Sequence, residues 1–184
     1  MTKPQAFEFC NRLSVLDGLE PVFTMTGTDG TSYGTDPDAW KGSGLDPLRE
    51  CTYKANPTAN GYRLPDGDEW LVAAWDGGKD IENYPGSSSA DDAAWSADNS
   101  EGTTHAVAQK LPAGKNIYDL SGNVAELQGN EYTKSDAYEF VLQGGSFKDN
   151  PLYYCKVLSG GGAYPNLGDT GTGAYDFAGF RVAR

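Results

Sequence analysis

Histidine is nearly missing from this 184-residue chain, cysteine is sparse, and positive charge is in short supply. The one histidine, His105, is too few for the two or three imidazoles that zinc and non-haem iron centres draw on. The three cysteines, Cys10, Cys51 and Cys155, are odd in number and far apart. That fits neither a disulfide framework nor a close-spaced zinc motif, and at least one reads as a buried free thiol. Lys and Arg total 14 against 26 Asp and Glu, a formal charge of -12. Such a surface repels a phosphate backbone and an anionic lipid face, so no nucleic acid partner is expected. No run of about 18 apolar residues exists, so no membrane insertion is expected. The start, Met1-Thr2-Lys3-Pro4-Gln5, carries no apolar signal core, so export by the general secretory route is not expected.

What is abundant is glycine (24) and aromatic side chain, with four Trp, eleven Tyr and seven Phe. That composition predicts a folded globule with many turns and little helix, and the length fits one domain, residues 1–184. Thr2 is placed to cap a first helix, with Pro4 in its first turn and Gln5 reaching back; Ala6, Cys10 and Leu13 recur at helical spacing and Gly18 ends it. Residues 21–59 read as long loops pinned by single rings, with a short strand near Val22 to Met25. A second helix follows Asp66, with Glu69 completing its cap, Trp70, Ala73 and Ala74 facing inward and Gly77-Gly78 terminating it. Residues 80–104 read as loop with Trp95 as anchor, and 117–120, 139–142 and 180–182 as strands.

Several blocks in order carry a resemblance. Phe9-Cys10-Asn11-Arg12-Leu13-Ser14, Gly61-Tyr62-Arg63-Leu64-Pro65, Asp68-Glu69-Trp70, Ala73-Ala74, Tyr118 to Val124, Gly144-Gly145-Ser146-Phe147 and Gly179-Phe180-Arg181-Val182 together resemble the formylglycine-generating enzyme family. The resemblance implies an α+β fold, the variant C-type lectin fold of that family, with two helices, short antiparallel strands and many loops. The family's usual N-terminal strand ahead of the first helix has no counterpart here.

In the sulfatase-activating members the resemblance points to two copper-binding cysteines shortly after the Gly-Gly-Ser motif. The matching places are near Asp149 and Tyr154, and Cys155 stands about one position off with no cysteine partner nearby. A two-sulfur copper site is therefore not expected. Ser146 has no histidine to activate it as a nucleophile. The resemblance also implies a structural calcium on Asp119 and Glu126 by side chain and Gly122 and Val124 by carbonyl, a hard-oxygen set. Ala125 stands where the family usually has Trp.

The same fold is used by the variable proteins of diversity-generating retroelements, which this chain also resembles. There, adenine mutagenesis of AAC or AAT codons rewrites a C-terminal stretch ending near Gly-Phe-Arg and cannot yield Lys, Glu, Gln, Met or Trp. None of those five occurs in the 22 residues from Val157 to Ala178, against 28 in the other 162 positions. The stretch 147–178 is rich in Tyr, Gly, Asn, Asp and Thr, the composition of an adaptable binding surface. The resemblance thus points to Phe147, Asp149, Asn150, Leu152, Tyr153, Tyr154, Tyr164, Asn166, Asp169, Thr170, Tyr175 and Asp176 as ligand-contacting residues. The expectation is a non-catalytic display protein of a phage or viral retroelement, on a virion or cell surface, binding a cell-surface protein or glycan and requiring no cofactor. The alternatives are a copper-dependent oxidative enzyme of the same fold, or a fixed structural module of a virion or envelope.

Overall fold

The computed structural model describes residues 1–75, 84–129, 131–132, 141–157, 162–163 and 176–184. Helix α1 spans Lys3–Leu16 and begins with the expected capping box: the Gln5 N–H donates to Thr2 Oγ1 and the Thr2 N–H donates to Gln5 Oε1 at 2.9 Å. Its inner face is Ala6, Phe7, Cys10, Asn11 and Ser14, with Leu13 only half-buried.

That face rests on a sheet where loops were expected. Strands β1 (Phe23–Gly27), β2 (Ser32–Gly34) and β3 (Cys51–Ala55), with the later β7 (Glu131–Tyr132), form an antiparallel sheet in the order β2-β1-β3-β7. A short helix α2 (Pro37–Gly42) lies between β2 and β3. Segment 21–59 is thus structured, and the reason is long-range: Phe23, Met25 and Tyr53 are apolar only on alternate positions, with threonines between, and each buries against α1 from a strand of five residues or fewer. Phe7 stacks on Phe23 at 4.0 Å between centroids, and Trp40 of α2 meets Tyr53 edge-on at 5.4 Å.

Asn11 is fully buried in this interface. Its Nδ2 donates to the carbonyls of Phe23 (2.7 Å) and Thr35 (2.8 Å), and its Oδ1 accepts from the Phe23 N–H at 2.9 Å, tying α1 to both ends of the first hairpin.

Helix α3 (Gly67–Trp75) carries the second expected cap, Glu69 N–H to Asp66 Oδ1 at 2.8 Å and Asp66 N–H to Glu69 Oε2 at 3.0 Å. Trp70 and Ala74 are buried with Ala113, Leu120 and Val157 in a second cluster. The Gly77-Gly78 terminator lies outside the described residues.

The C-terminal half departs further from expectation. Residues 90–95 form a short helix α4 (Ala90–Ala93) running into β4 (Ala94–Trp95), which pairs in parallel with β5 (Ser121–Gly122). Residues 114–116 make a 3-10 turn, so the strand expected over 117–120 is displaced to Ser121. The second four-stranded sheet has the order β10-β6-β8-β9: β6 is Ala125–Leu127, β8 Val141–Gln143, β9 Gly162–Ala163 and β10 Ala178–Gly179. Strand β10 lies two residues before the expected 180–182. The architecture is the expected α+β; among the described residues it has two long helices, three short ones and short strands joined by loops.

Replacing Asn11 by Leu should cost about 3 kcal/mol in urea unfolding, because it leaves the Phe23 amide and two carbonyls buried without partners. An unfolding free energy within about 0.5 kcal/mol of wild type would refute the role given to this side chain.

Candidate functional site

The Gly144-Gly145-Ser146-Phe147 turn leaves β8 and brings the chain against the residues that follow it. Gly145 has φ +68°, and a Cβ there would meet Cys155 Sγ at 2.9 Å and the Tyr154 carbonyl carbon at 3.0 Å, so only glycine permits this approach. Ser146 is fully buried; its N–H (2.9 Å) and its hydroxyl (2.6 Å) both donate to Asp149 Oδ2. Phe147 is held by its backbone, its N–H donating to the Asn123 carbonyl at 2.9 Å and its carbonyl accepting from Ser100 Oγ at 2.7 Å.

The anchored turn launches a one-turn helix, α5 (Pro151–Tyr154), capped by Asn150, whose side chain accepts from the Leu152 N–H at 3.0 Å. Pro151 is buried beneath it, and Cys155 closes it from the inside, its carbonyl accepting from Ser121 Oγ at 2.6 Å. The three side chains between these anchors face water: Leu152 is 61% exposed, Tyr153 69% and Tyr154 38%.

The expected ligand-contacting residues therefore divide. Asn150, Leu152, Tyr153, Tyr154 and Asp176 lie at the surface, and Asp176 pairs with Lys148. Asp149 is half-buried with its carboxylate turned in to Ser146, and it serves the turn. Phe147 is a correction: at 6% exposure it belongs to the interior, because the hydrogen bonds on both sides of its peptide draw the ring inward. Tyr164, Asn166, Asp169, Thr170 and Tyr175 lie outside the described residues.

Beside the turn, the loop 96–105 is latched to the same frame. The His105 ring stacks on Trp95 at 3.8 Å and 11°, its Nε2 lies 2.9 Å from the Ser100 carbonyl, and its N–H donates to Asn123 Oδ1. Lys110 Nζ sits 3.9 Å from the Trp95 ring centre. Sequence reasoning named Trp95 and His105 singly; their stacking is a tertiary contact with no local signature.

The chemistry of the cysteines follows from burial. Cys155 is completely buried, and burial first, then the Asp149 charge, pushes its thiol up to about 12. Burial pushes Cys10 up to about 12 as well, and Cys51 is also raised. Cys10 and Cys51 belong to the α1 core and Cys155 to a separate cluster with Tyr84, Ala93 and Ala94. Cys155, which shares its cluster with no other cysteine and whose thiol is raised by burial, does not fit a copper-dithiolate centre.

The implied calcium donors do not fit a calcium ion either. Both Glu126 oxygens accept from the Arg181 guanidinium, Nε to Oε2 at 2.5 Å and Nη2 to Oε1, and Oε2 also accepts from Trp70 Nε1 at 2.8 Å. Arg181 Nη2 also reaches the carbonyls of Tyr118 (3.2 Å) and Asp119 (3.1 Å), while Asp119 Oδ2 accepts from the Ala108 N–H at 2.7 Å. Gly122, at φ +68° in β5, lies so close to the Trp95 carbonyl that a Cβ would clash with it, and Val124 follows in the bend after β5. The cation gathering these oxygens is a guanidinium, in a donor set that offers a metal only two side-chain carboxylates, one of them already taken. Burial raises the Glu126 carboxyl above its ordinary range, and Arg181 and Trp70 oppose that rise.

Three outcomes test this chemistry. A thiol reagent such as Ellman's should leave all three cysteines unlabelled in the native protein and label them in urea; fast native labelling of Cys155 would contradict its burial. Arg181→Met should lower stability by about 3–5 kcal/mol, since it strands a buried carboxylate. A chelator should leave the wild-type melting temperature unmoved, and a chelator-dependent drop would restore the calcium site.

Comparison with known proteins agrees with this geometry. The sulfatase-modifying factor enzyme 1-like domain matches residues 4–184. Chaperone protein LppX of Paenibacillus barcinonensis is 34% identical over 140 residues, an alignment taking in 66% of this chain and 47% of that protein, so the chain spans about half the length of this relative. Treponema denticola variable protein 1 superposes with a TM-score of 0.77 at 27% identity, over 99% of this chain and 68% of that one. A solved structure of CarF gives 0.65 at 27% identity, over 99% of this chain and 65% of that one. The capped helices, the Gly-Gly-Ser turn and the closing Gly-Phe-Arg thus have one common source: the chain belongs to the sulfatase-modifying factor enzyme 1-like domain family.

Proposed function

We propose that this chain is a non-catalytic ligand-binding display protein, the variable protein of a viral or phage diversity-generating retroelement, which binds a cell-surface protein or glycan through its C-terminal face. The observation that carries this reading is the run Leu152-Tyr153-Tyr154, three consecutive large side chains turned to water from a helix whose own ends are buried. Ordinary surfaces scatter such residues singly, and a contiguous patch marks an interaction site. Tyrosine suits the role because it offers wide contact area with few rotors to immobilise. The structural likeness to a variable protein supports the same reading, and the family's thiol chemistry has no equivalent in three raised, buried thiols.

The physical requirement of a display protein is that its face changes while its frame does not. Here the frame is set by Gly145, Ser146, Asp149, Pro151 and Cys155, and the face by the side chains between them. A library randomised at positions 152, 153 and 154 should therefore keep most members within about 0.5 kcal/mol of wild-type stability. Phe147→Ala should lose about 3 kcal/mol. Both are read by urea unfolding; a library that mostly fails to fold would remove the display reading. In the source genome, a near-copy of the 3' coding region differing mainly at adenines, beside a reverse transcriptase gene, is expected.

A further inference from the structure

The α5 patch does not stand on neutral ground. The loop 96–101 lies against the turn that carries it, through the Ala97 N–H to the Asp149 carbonyl (3.1 Å) and Ser100 Oγ to the Phe147 carbonyl (2.7 Å). That loop contributes exposed Asp98 and Glu101; the turn contributes Asp149, and the returning chain brings exposed Asp176 beside Lys148. The two exposed carboxylates of that loop thus flank the turn that carries the patch, while the Asp149 carboxylate is turned in to Ser146 and Asp176 is paired with Lys148. The whole chain adds its formal charge of -12.

The patch is also an exposed helical turn. A cavity of about 380 Å³ lies elsewhere, between α1, α2 and Leu45 to Leu48. An exposed apolar turn flanked by carboxylates suits the surface of another protein, where rings cover apolar area and carboxylates take up guanidinium or ammonium groups. A neutral sugar would gain nothing from the net charge, and a sialylated or sulfated glycan would be repelled by it.

Resting on the display reading above, we propose that the partner of the α5 face is a basic protein surface, one presenting arginine or lysine beside apolar side chains. Leu152 and Tyr153 supply the buried contact, and Asp98 and Glu101 select the charge of the partner. Electrostatic attraction by the acidic rim speeds encounter and makes association salt-sensitive.

The test is selection of a random 12-residue phage-displayed peptide library on the immobilised full chain, with synthetic winners measured by titration calorimetry. The expected winners carry net positive charge, lose about tenfold or more in affinity against Tyr153→Ala, and lose several-fold against the double variant Asp98→Asn, Glu101→Gln, whose exposed positions keep the fold intact. Winners that need Tyr153 but carry no positive charge overturn the basic-partner proposal and leave the display reading standing. Winners indifferent to Tyr153 overturn both. A library that yields no binder, while a neutral glycan array does, also overturns the proposal.

Discussion

A buried carboxylate held by a guanidinium organises the C-terminal half of this protein. Glu126 on β6 receives Arg181 from the closing segment and the indole N–H of Trp70 from α3, so a single residue joins three elements that are far apart in the chain. Removing two charges from water costs several kcal/mol per ion, and only a geometry that satisfies nearly every lone pair recovers it. Three hydrogen bonds on one carboxylate, together with the Tyr118 and Asp119 carbonyls on the same guanidinium, meet that condition. Take away Arg181 and the buried Glu126 keeps only the Trp70 indole N–H; take away Glu126 and the half-buried guanidinium keeps only two carbonyls. Because β10 pairs in parallel with β6 just before Arg181, the pair also fixes where the closing segment returns to the sheet.

What the sequence disclosed and what it concealed follow one physical division. Both long helices were legible to their caps, because Thr2 with Gln5 and Asp66 with Glu69 act within three residues. The first sheet was not legible: Phe23, Met25 and Tyr53 look like isolated rings until α1 supplies the surface they bury against. The family blocks predicted the fold through residues whose work is nonlocal, such as Asn11 and the closing Gly-Phe-Arg, although their spacing alone said nothing of their partners. At the candidate site, Leu152, Tyr153 and Tyr154 lie at the surface, whereas Phe147 does not. Phenylalanine in a polar turn gives no local sign of its direction, and here the hydrogen bonds to Asn123 and Ser100 decide it.

The same division explains how a family with enzymatic members accommodates a face without its thiol centre. The Gly-Gly-Ser turn, the Glu126 pair and the capped helices are indifferent to what occupies the surface beyond them. Cys155, near the family's reactive positions, has here become a core residue whose backbone carbonyl receives Ser121. Its sulfur fills space against Gly145 and shares a cluster with Tyr84.

Asp149, with its carboxylate turned inward, lies one residue before the cap of α5, yet its hydrogen bonds go to the amide and hydroxyl of Ser146. A substitution there removes the acceptor that holds the Ser146 amide and hydroxyl, and α5 loses the turn that launches it. Folding therefore constrains position 149 independently of whatever α5 meets, while the exposed side chains of Leu152 and Tyr153 carry no such constraint.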